Sequence, residues 1–227
     1  MKRQLKGLAL EHYKRSLPKF NQTQKNIIIG TLLGNSILQK NQRKALKPLY
    51  NIKFEQKVKN KPYLDQIYHE FDEWCGTPPK FYVKKSGIIK SYWFKTYGHR
   101  SLDFYANQFY KIEENFYGEL KRTKVVPKLI HRWLNPEVLA YWFMDDGGKS
   151  GLSGYFLNTQ GFTLQENKRL ADALGKNFKF EVNIHSDNNY KAGKKGYRLY
   201  ITAKSHGEFT EIVYPYINPC FYYKLIT

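Results

Sequence analysis

Leu139-Ala140-Tyr141-Trp142-Phe143-Met144-Asp145-Asp146-Gly147-Gly148 closes an unbroken apolar and aromatic run, Val138 to Met144, with two carboxylates and two glycines. Asn135 can cap a helix, and Pro136 suits the first helical position, where its missing N–H costs nothing. The pattern predicts a helix over 136–146. No polar face interrupts the run, and a helix that is apolar all round is buried on most sides. Gly147-Gly148 supply permissive backbone for leaving it. A buried helix therefore delivers Asp145 and Asp146 to one point. Acids are disfavoured beside the negative end of a helix dipole, which argues for a role beyond solvation. Solvated helix-end residues are the plainer alternative.

A second stretch of this kind lies earlier, at Ile28-Ile29-Gly30-Thr31-Leu32-Leu33-Gly34-Asn35-Ser36. It follows a capping-box pair, Asn21 and Gln24, and predicts a helix over 22–35. Gly30 and Gly34 are four apart, so one helix face lacks side chains and another backbone can approach it closely.

Leu139, Ala140, Asp146 and Gly147 match the signature helix of the LAGLIDADG homing endonucleases. The wording LAYWFMDDGG resembles the single-chain, two-motif branch of that family most. The resemblance implies an α+β fold of two similar halves, related by a pseudo-twofold axis between helices 22–35 and 136–146. Each half would hold a signature helix, a curved antiparallel sheet and covering helices. It also implies that the last acid of each signature helix binds metal at the strand it cuts. Those positions are Asp146 and Asn35, expected within one metal shell of each other. Asn35 departs from the pattern: an amide offers a carbonyl oxygen but no negative charge. The carbonyls just before them, of Asp145 and Gly34, are expected to help. A lysine near each scissile phosphate is expected too. Lys124, three residues before Pro127, and Lys224, in the run 219–225, match those places. Lys128 rivals Lys124, because Lys128-Leu129-Ile130 is echoed by Lys224-Leu225-Ile226. The alternative for all three lysines is phosphate anchoring without catalysis. Gln56 and Gln160 are candidates for orienting water or metal.

Composition narrows the partner. In 227 residues, 38 Lys and Arg against 19 Asp and Glu give a net charge of +19, which calls for a polyanion. No long amphipathic helix with a basic face favours a membrane surface, and no run of eighteen apolar residues could span one. Nucleic acid is the partner expected. Cys75 and Cys220 make neither metal-ligand spacing nor a disulfide framework, and the six histidines are scattered. The basic N-terminal segment lacks an apolar signal core; it reads as an organellar presequence or a DNA-contacting arm.

Along the chain, residues 1–20 read as a basic arm, 21–131 as the N-terminal half and 132–227 as the C-terminal half. Residues 39–44 read as a loop or strand tip. Tyr50, Ile52, Phe54 and Val58 alternate with Asn51, Lys53, Glu55 and Lys57, predicting a strand with one buried and one cationic wet face. Tyr63 to Trp74 has helical spacing. Strands 81–83 and 88–96 flank a Lys84-Lys85-Ser86-Gly87 turn, and a helix covers 102–109. A strand over 155–160 then precedes a helix opened by a Thr163/Glu166 capping box. Phe178, Phe180, Val182 and Ile184 alternate with Lys179, Glu181, Asn183 and His185. A basic turn, 191–196, leads to a strand with Leu199 and Ile201 inward. Ser205 and Glu208 read as a further capping box. The order repeats: 54–56 parallels 158–160, and 92–96 parallels 198–202.

Two sheets with cationic wet faces suit the major groove of a duplex, where each base pair shows a distinct donor and acceptor pattern. Lys40, Arg43, Lys44, Lys53, Lys57, Lys84, Lys85, Lys95, Lys191, Lys194, Lys195 and Arg198 are the candidate DNA contacts. The leading reading is an intron-encoded, monomeric homing endonuclease that cuts a long double-stranded site with Mg²⁺, impaired to whatever extent Asn35 imposes. Alternatives are a maturase acting on its host intron RNA and a DNA binder without chemistry. An organelle is the expected setting, the mitochondrion before the chloroplast.

Overall fold

Asn21 and Gln24 cap one another: the Gln24 N–H donates to Asn21 Oδ1 at 2.8 Å, and the Asn21 N–H to Gln24 Oε1 at 3.0 Å. This reciprocal box starts α2 (Gln22–Leu33). It is preceded by α1 (Gly7–Ser16), a ten-residue helix with no buried residue, where the sequence predicted only an arm. The computed structural model describes residues 5–40, 49–114, 118–151, 153–188 and 195–225. Arg43, Lys44, Lys191 and Lys194 lie outside the described residues.

Two compact units divide the chain, Met1–Ile28 with Asn35–Ala106, and Ile29–Gly34 with Asn107–Thr227. The first contains a four-stranded antiparallel sheet of β1 (Ile37–Lys40), β2 (Tyr50–Lys57), β3 (Lys80–Val83) and β4 (Ile89–Lys95), in the order β1-β2-β4-β3. Its buried face packs aromatic rings. Phe54 stacks on Phe94 with centroids 4.9 Å apart, and Phe20 lies 4.1 Å from Trp74. Helix α3 (Lys61–Glu70) contributes Tyr63, Leu64 and Ile67 to this core. It gives way to a 3-10 turn over Asp72–Trp74, so the helical pattern read to Trp74 changes pitch before it ends.

In the second unit, Asn135 Oδ1 accepts from the Val138 N–H at 2.9 Å and Pro136 opens α5 (Pro136–Asp146). Every residue from Val138 to Met144 is buried, as an all-apolar helix requires. β7 (Gly147–Lys149), β8 (Tyr155–Leu157), β9 (Val182–Asp187) and β10 (Gly196–Ile201) form a second antiparallel sheet, in the order β7-β8-β10-β9. Phe143, Tyr155 and Phe209 pack with centroids 4.7–5.2 Å apart, joining α5, the sheet and α7 (His206–Val213). Helix α6 (Leu164–Phe178) starts with the predicted Thr163/Glu166 capping box. This unit also holds a hairpin of β5 (Tyr110–Glu114), which follows α4 (Asp103–Phe109), and β6 (Leu120–Lys124). This hairpin was not read from the sequence: Tyr110-Lys111-Ile112-Glu113 alternates, but most residues of the two strands are exposed and no buried face marks them.

The two sheets share one topology, and their pairing sets the repeat one residue away from the sequence alignment. Phe54 pairs with Phe94, while Leu157 pairs with Leu199, and all four are buried. Phe54 therefore corresponds to Leu157, Glu55 to Asn158 and Gln56 to Thr159, so Gln56 and Gln160 are not equivalent. A one-residue slip exchanges the faces of a strand, which is why burial decides it.

Four local readings change. Asn51 is buried, and Val58 is exposed in a 3-10 turn, so the alternation of β2 fails at both ends. Phe178 belongs to α6, and Lys179 leaves that helix in the left-handed conformation (φ 63°), so the alternating run begins only after it. The Ser205 hydroxyl accepts from the Glu181 N–H at 2.8 Å instead of capping α7. Gly147 has ordinary extended dihedrals (φ −87°, ψ 163°); its glycine is needed for space, since a Cβ would sit 2.0 Å from Phe143 Cδ2.

Candidate active site

Helices α2 and α5 meet where glycine removes side chains. A Cβ at Gly30 would lie 2.6 Å from the Val138 carbonyl and 2.7 Å from Tyr141 Cβ; at Gly34 it would lie 2.5 Å from Asp145 Cβ. The end of α2 is thereby held against the acidic end of α5. An open pocket of about 350 Å³ forms there, lined by Leu33, Gly34, Lys124, Asp146 and the loop Asn158–Phe162.

Lys124, the last residue of β6, turns its ammonium inward and donates to the Gly34 carbonyl at 2.9 Å. Lys128 is exposed, which leaves Lys124 as the lysine of this pocket. The segment after β6 is braced by α6: the Val126 N–H donates to Glu166 Oε1 at 3.0 Å, and Arg169 Nη1 to the Val126 carbonyl at 2.8 Å. Glu166 thus serves both the capping box and the lysine's mount.

The Asp146 carbonyl accepts from both the backbone N–H and the Nδ2 of Asn158, each at 2.9 Å. Gln160 Nε2 donates to Asn158 Oδ1 at 3.4 Å and to Asp187 Oδ2 at 3.3 Å. Thr159, fully buried, anchors the loop through its hydroxyl, 2.5 Å from Asn167 Oδ1. Lys224 donates to the Met144 carbonyl at 2.7 Å and the Phe143 carbonyl at 3.3 Å, steadying the last turn of α5.

Charge in the pocket is strained by burial. Burial pushes the Asp146 carboxyl up to about 6 against the opposing pull of Lys124 and Lys224. Burial likewise pushes the Lys124 ammonium down to about 8, with Asp146 and Asp145 pulling it up. A desolvated acid of this kind gains from a cation. The nearby donors are hard oxygens, the Asp146 and Asp145 carboxylates and the Gly34 carbonyl, although that carbonyl already accepts Lys124. Among the described residues no three His, Cys, Asp or Glu side chains gather to hold a metal. Oxygen donors of this kind suit a hard divalent ion that keeps part of its water shell. Asn35, next along the chain from Gly34, is exposed. Gln56 lies on the inward face of β2, where its Oε1 accepts from Asn60 Nδ2 at 3.2 Å.

The sheets' wet faces differ from each other. On the first, Lys53, Glu55, Lys57, Trp93, Lys95 and Lys80 point outward by strand parity, and Lys53 lies 5.3 Å from the Trp93 ring centroid. Lys40, Lys84 and Lys85 are exposed, the last two in the predicted turn closed by the Gly87 N–H donating to the Lys84 carbonyl at 2.9 Å. The second was expected to be cationic, and its face is instead aromatic. Phe156, His185 and Tyr200 cluster with centroids 5.0–5.7 Å apart, and the Arg198 guanidinium stacks 4.0 Å from the Phe156 centroid. Lys195 is exposed just before β10.

The family model described as the LAGLIDADG DNA endonuclease family matches residues 25–209. The chain belongs to this family. A relative from Wickerhamomyces canadensis, a probable intron-encoded endonuclease 1, is 30% identical over 99% of this chain and 95% of its own length. The solved structure of the homing endonuclease I-WcaI bound to its DNA recognition sequence superposes with a TM-score of 0.81, at 28% identity, over 99% of this chain and 97% of that one. The Saccharomyces cerevisiae cytochrome b mRNA maturase bI2 is 30% identical over 88% of this chain, which spans 46% of it.

Of the site residues expected from the sequence of this LAGLIDADG chain, the structure brings Gly34, Lys124, Asp146 and Gln160 to one pocket, with Asn158 and Glu166 as supports not predicted from the sequence. The signal for Asn158 was the polar run Asn158-Thr159-Gln160 closing an apolar strand. Nothing local marks the reach of Glu166 to Val126. Among the described residues neither Cys75 nor Cys220 forms a disulfide. No described helix is long and apolar enough to cross a membrane.

Proposed function

We infer that the chain is an intron-encoded, site-specific DNA endonuclease, acting as a monomer on a long double-stranded site with a divalent metal ion. The observation that carries this reading is the convergence of the Asp146 carboxylate and the Lys124 ammonium on one open pocket. In phosphodiester hydrolysis a carboxylate can hold the metal ion and an ammonium can offset charge that develops on the phosphate. Magnesium is our assignment for the ion, on the hardness of the oxygens offered. It would be held by Asp146, with the carbonyls of Asp145 and Gly34 and the Asn35 amide in support. When bound, it would polarise the phosphate, lower the pKa of an attacking water and steady the leaving oxygen.

The chain's own groups do the rest. Lys124 offers its ammonium to a phosphate oxygen, and Gln160, tethered by Asn158 and Asp187, orients water. Lys224 holds α5 so that Asp146 stays in place. Lys40, Lys57, Lys84, Lys85, Lys95 and Lys195 contact phosphates and set register on the duplex. Arg198, braced by Phe156, presents a guanidinium that suits guanine. In this reading each half, 21–131 and 132–227, serves one half-site. The intron-encoded and cytochrome b relatives support coding in an organelle genome, the mitochondrial one in our assignment.

The test is cleavage of a randomised duplex library with Mg²⁺, followed by sequencing of the cut ends. A recurrent site is expected. No recurrent site with Mg²⁺ or Mn²⁺, from either this chain or its Asn35→Asp variant, would overturn the reading. One observation favours a second reading, a splicing maturase: Asn35 replaces an acid that DNA cleavage uses. Tight binding of the host intron RNA, without cutting of any duplex, would select it.

A further inference from the structure

Glu55 is an exposed carboxylate in the middle of a lysine-rich sheet face, and it is held from both sides. Ser91, itself buried, donates to Oε1 at 2.5 Å, and Lys53 donates to Oε2 at 2.6 Å. Burial works against its charge, but the Lys53 and Ser91 hydrogen bonds with the nearby Lys53 and Lys90 charges outweigh it and keep the acid below its ordinary value. It therefore stays ionised at neutral pH. A carboxylate facing a polyanion weakens binding unless the DNA gives it a donor. Two bonds leave roughly half of its acceptor sites open. In the major groove the donors are the amines of cytosine and adenine. Adenine places its N7 acceptor beside the amine, where it repels a carboxylate; cytosine has no acceptor there.

Resting on the endonuclease reading, we propose that Glu55 is a specificity residue that reads a cytosine amine in the half-site bound by the first sheet. Ser91 aims the carboxylate, and Lys53 neutralises it during approach. Neither Glu55 nor a cytosine position stands out in the sequence, where an acid on a wet strand face reads as an ordinary surface charge.

Full-length protein and its Glu55→Ala variant are each used to select binders from a randomised duplex pool. The wild type selects a C·G pair at one position that the variant accepts indifferently, with other positions held within about twofold. That cytosine is then replaced by 2-pyrimidinone, which lacks the amine. Affinity falls about tenfold for the wild type and not for Glu55→Ala. Equal losses for both proteins, or an unchanged selection by the variant, would overturn the proposal and leave Glu55 as a brace for Lys53. A wild type that selects no consensus would instead sink the DNA reading beneath it.

Discussion

The Lys124 ammonium donates to the Gly34 carbonyl at 2.9 Å, so the base of the β5–β6 hairpin is tied to the end of the first signature helix. The same burial that makes this bond secure lowers the lysine to about 8. A lysine with a lowered pKa is charged below that value and neutral above it. For a cleavage reaction that uses the charged form, kcat/KM falls as pH rises through about 8, since kcat/KM reports the free enzyme. Lys124→Met is expected to lower the cleavage rate about a hundred- to thousandfold while leaving DNA binding nearly intact. Lys124→Arg, always charged, should lose the alkaline limb even if its maximum rate is lower. Cleavage measured from pH 6 to 10 for the three proteins checks this.

Asp146 titrates from the other side. Its pKa is raised to about 6, so the proton competes with metal below that pH. Divalent-ion affinity of the free protein should rise with pH between about 5 and 7 and then level off. Asp146→Asn should remove both the affinity and its pH dependence, together with cleavage. Titration of Mn²⁺ followed by electron paramagnetic resonance reads the ion directly, without DNA. A variant that kept the wild-type affinity would remove Asp146 from the metal site.

Helix contact depends on missing side chains. A methyl at Gly30 would meet the Val138 carbonyl at 2.6 Å and Tyr141 Cβ at 2.7 Å, both in a buried seam. Overpacking of this kind typically costs about 1–3 kcal/mol, so Gly30→Ala should lower Tm by roughly 2–10 °C. Gly148→Ala is the matched control, because nothing lies within 4 Å of its Cβ position. Thermal unfolding of both variants gives the comparison. Equal Tm values would mean that α2 and α5 can separate without loss.

Salt dependence tests the first sheet's lysines. Each phosphate contact removed should reduce the slope of log K against log salt by about 0.9. Lys57→Ala and Lys95→Ala, both exposed on the wet face, should each shallow the slope and weaken binding evenly across sequences. A loss confined to one base position would make either lysine a base reader instead.

What the sequence could and could not reveal follows from range. Caps are local, so Asn21/Gln24, Asn135 and Thr163/Glu166 were legible from residues three apart. The burial of α5 was legible because seven apolar residues leave no polar face. The Ser205 cap failed because Glu181, distant in sequence, offered that hydroxyl a better use. The aromatic face of the second sheet depended on which strands pair, placing Phe156, Tyr200 and His185 side by side. Strand pairing also moved the repeat by one residue, a shift no local similarity could register. Within the pocket, Asp146 and Lys124 were legible through resemblance, whereas the Asn158 and Glu166 supports came only from folded geometry.

The two signature helices end differently: α5 in Asp146, and the first, beyond Gly34, in Asn35. If each of these residues serves mainly one scissile phosphate, the two DNA strands should be cut unequally. The strand served by Asp146 should be nicked first. Losing one preorganised charge can withdraw roughly 3–4 kcal/mol of transition-state stabilisation, about a hundred- to thousandfold in rate, so the other strand should lag by that order. Asn35→Asp should return the missing charge and bring both strands to comparable rates. Asp146→Asn should abolish what cutting remains, while Asn35→Asp leaves affinity for duplex DNA close to that of the parent chain. Duplex labelled at the end of each strand in turn separates the two rates. Should Asn35→Asp leave both strands cut as before, position 35 would have no part in the metal site.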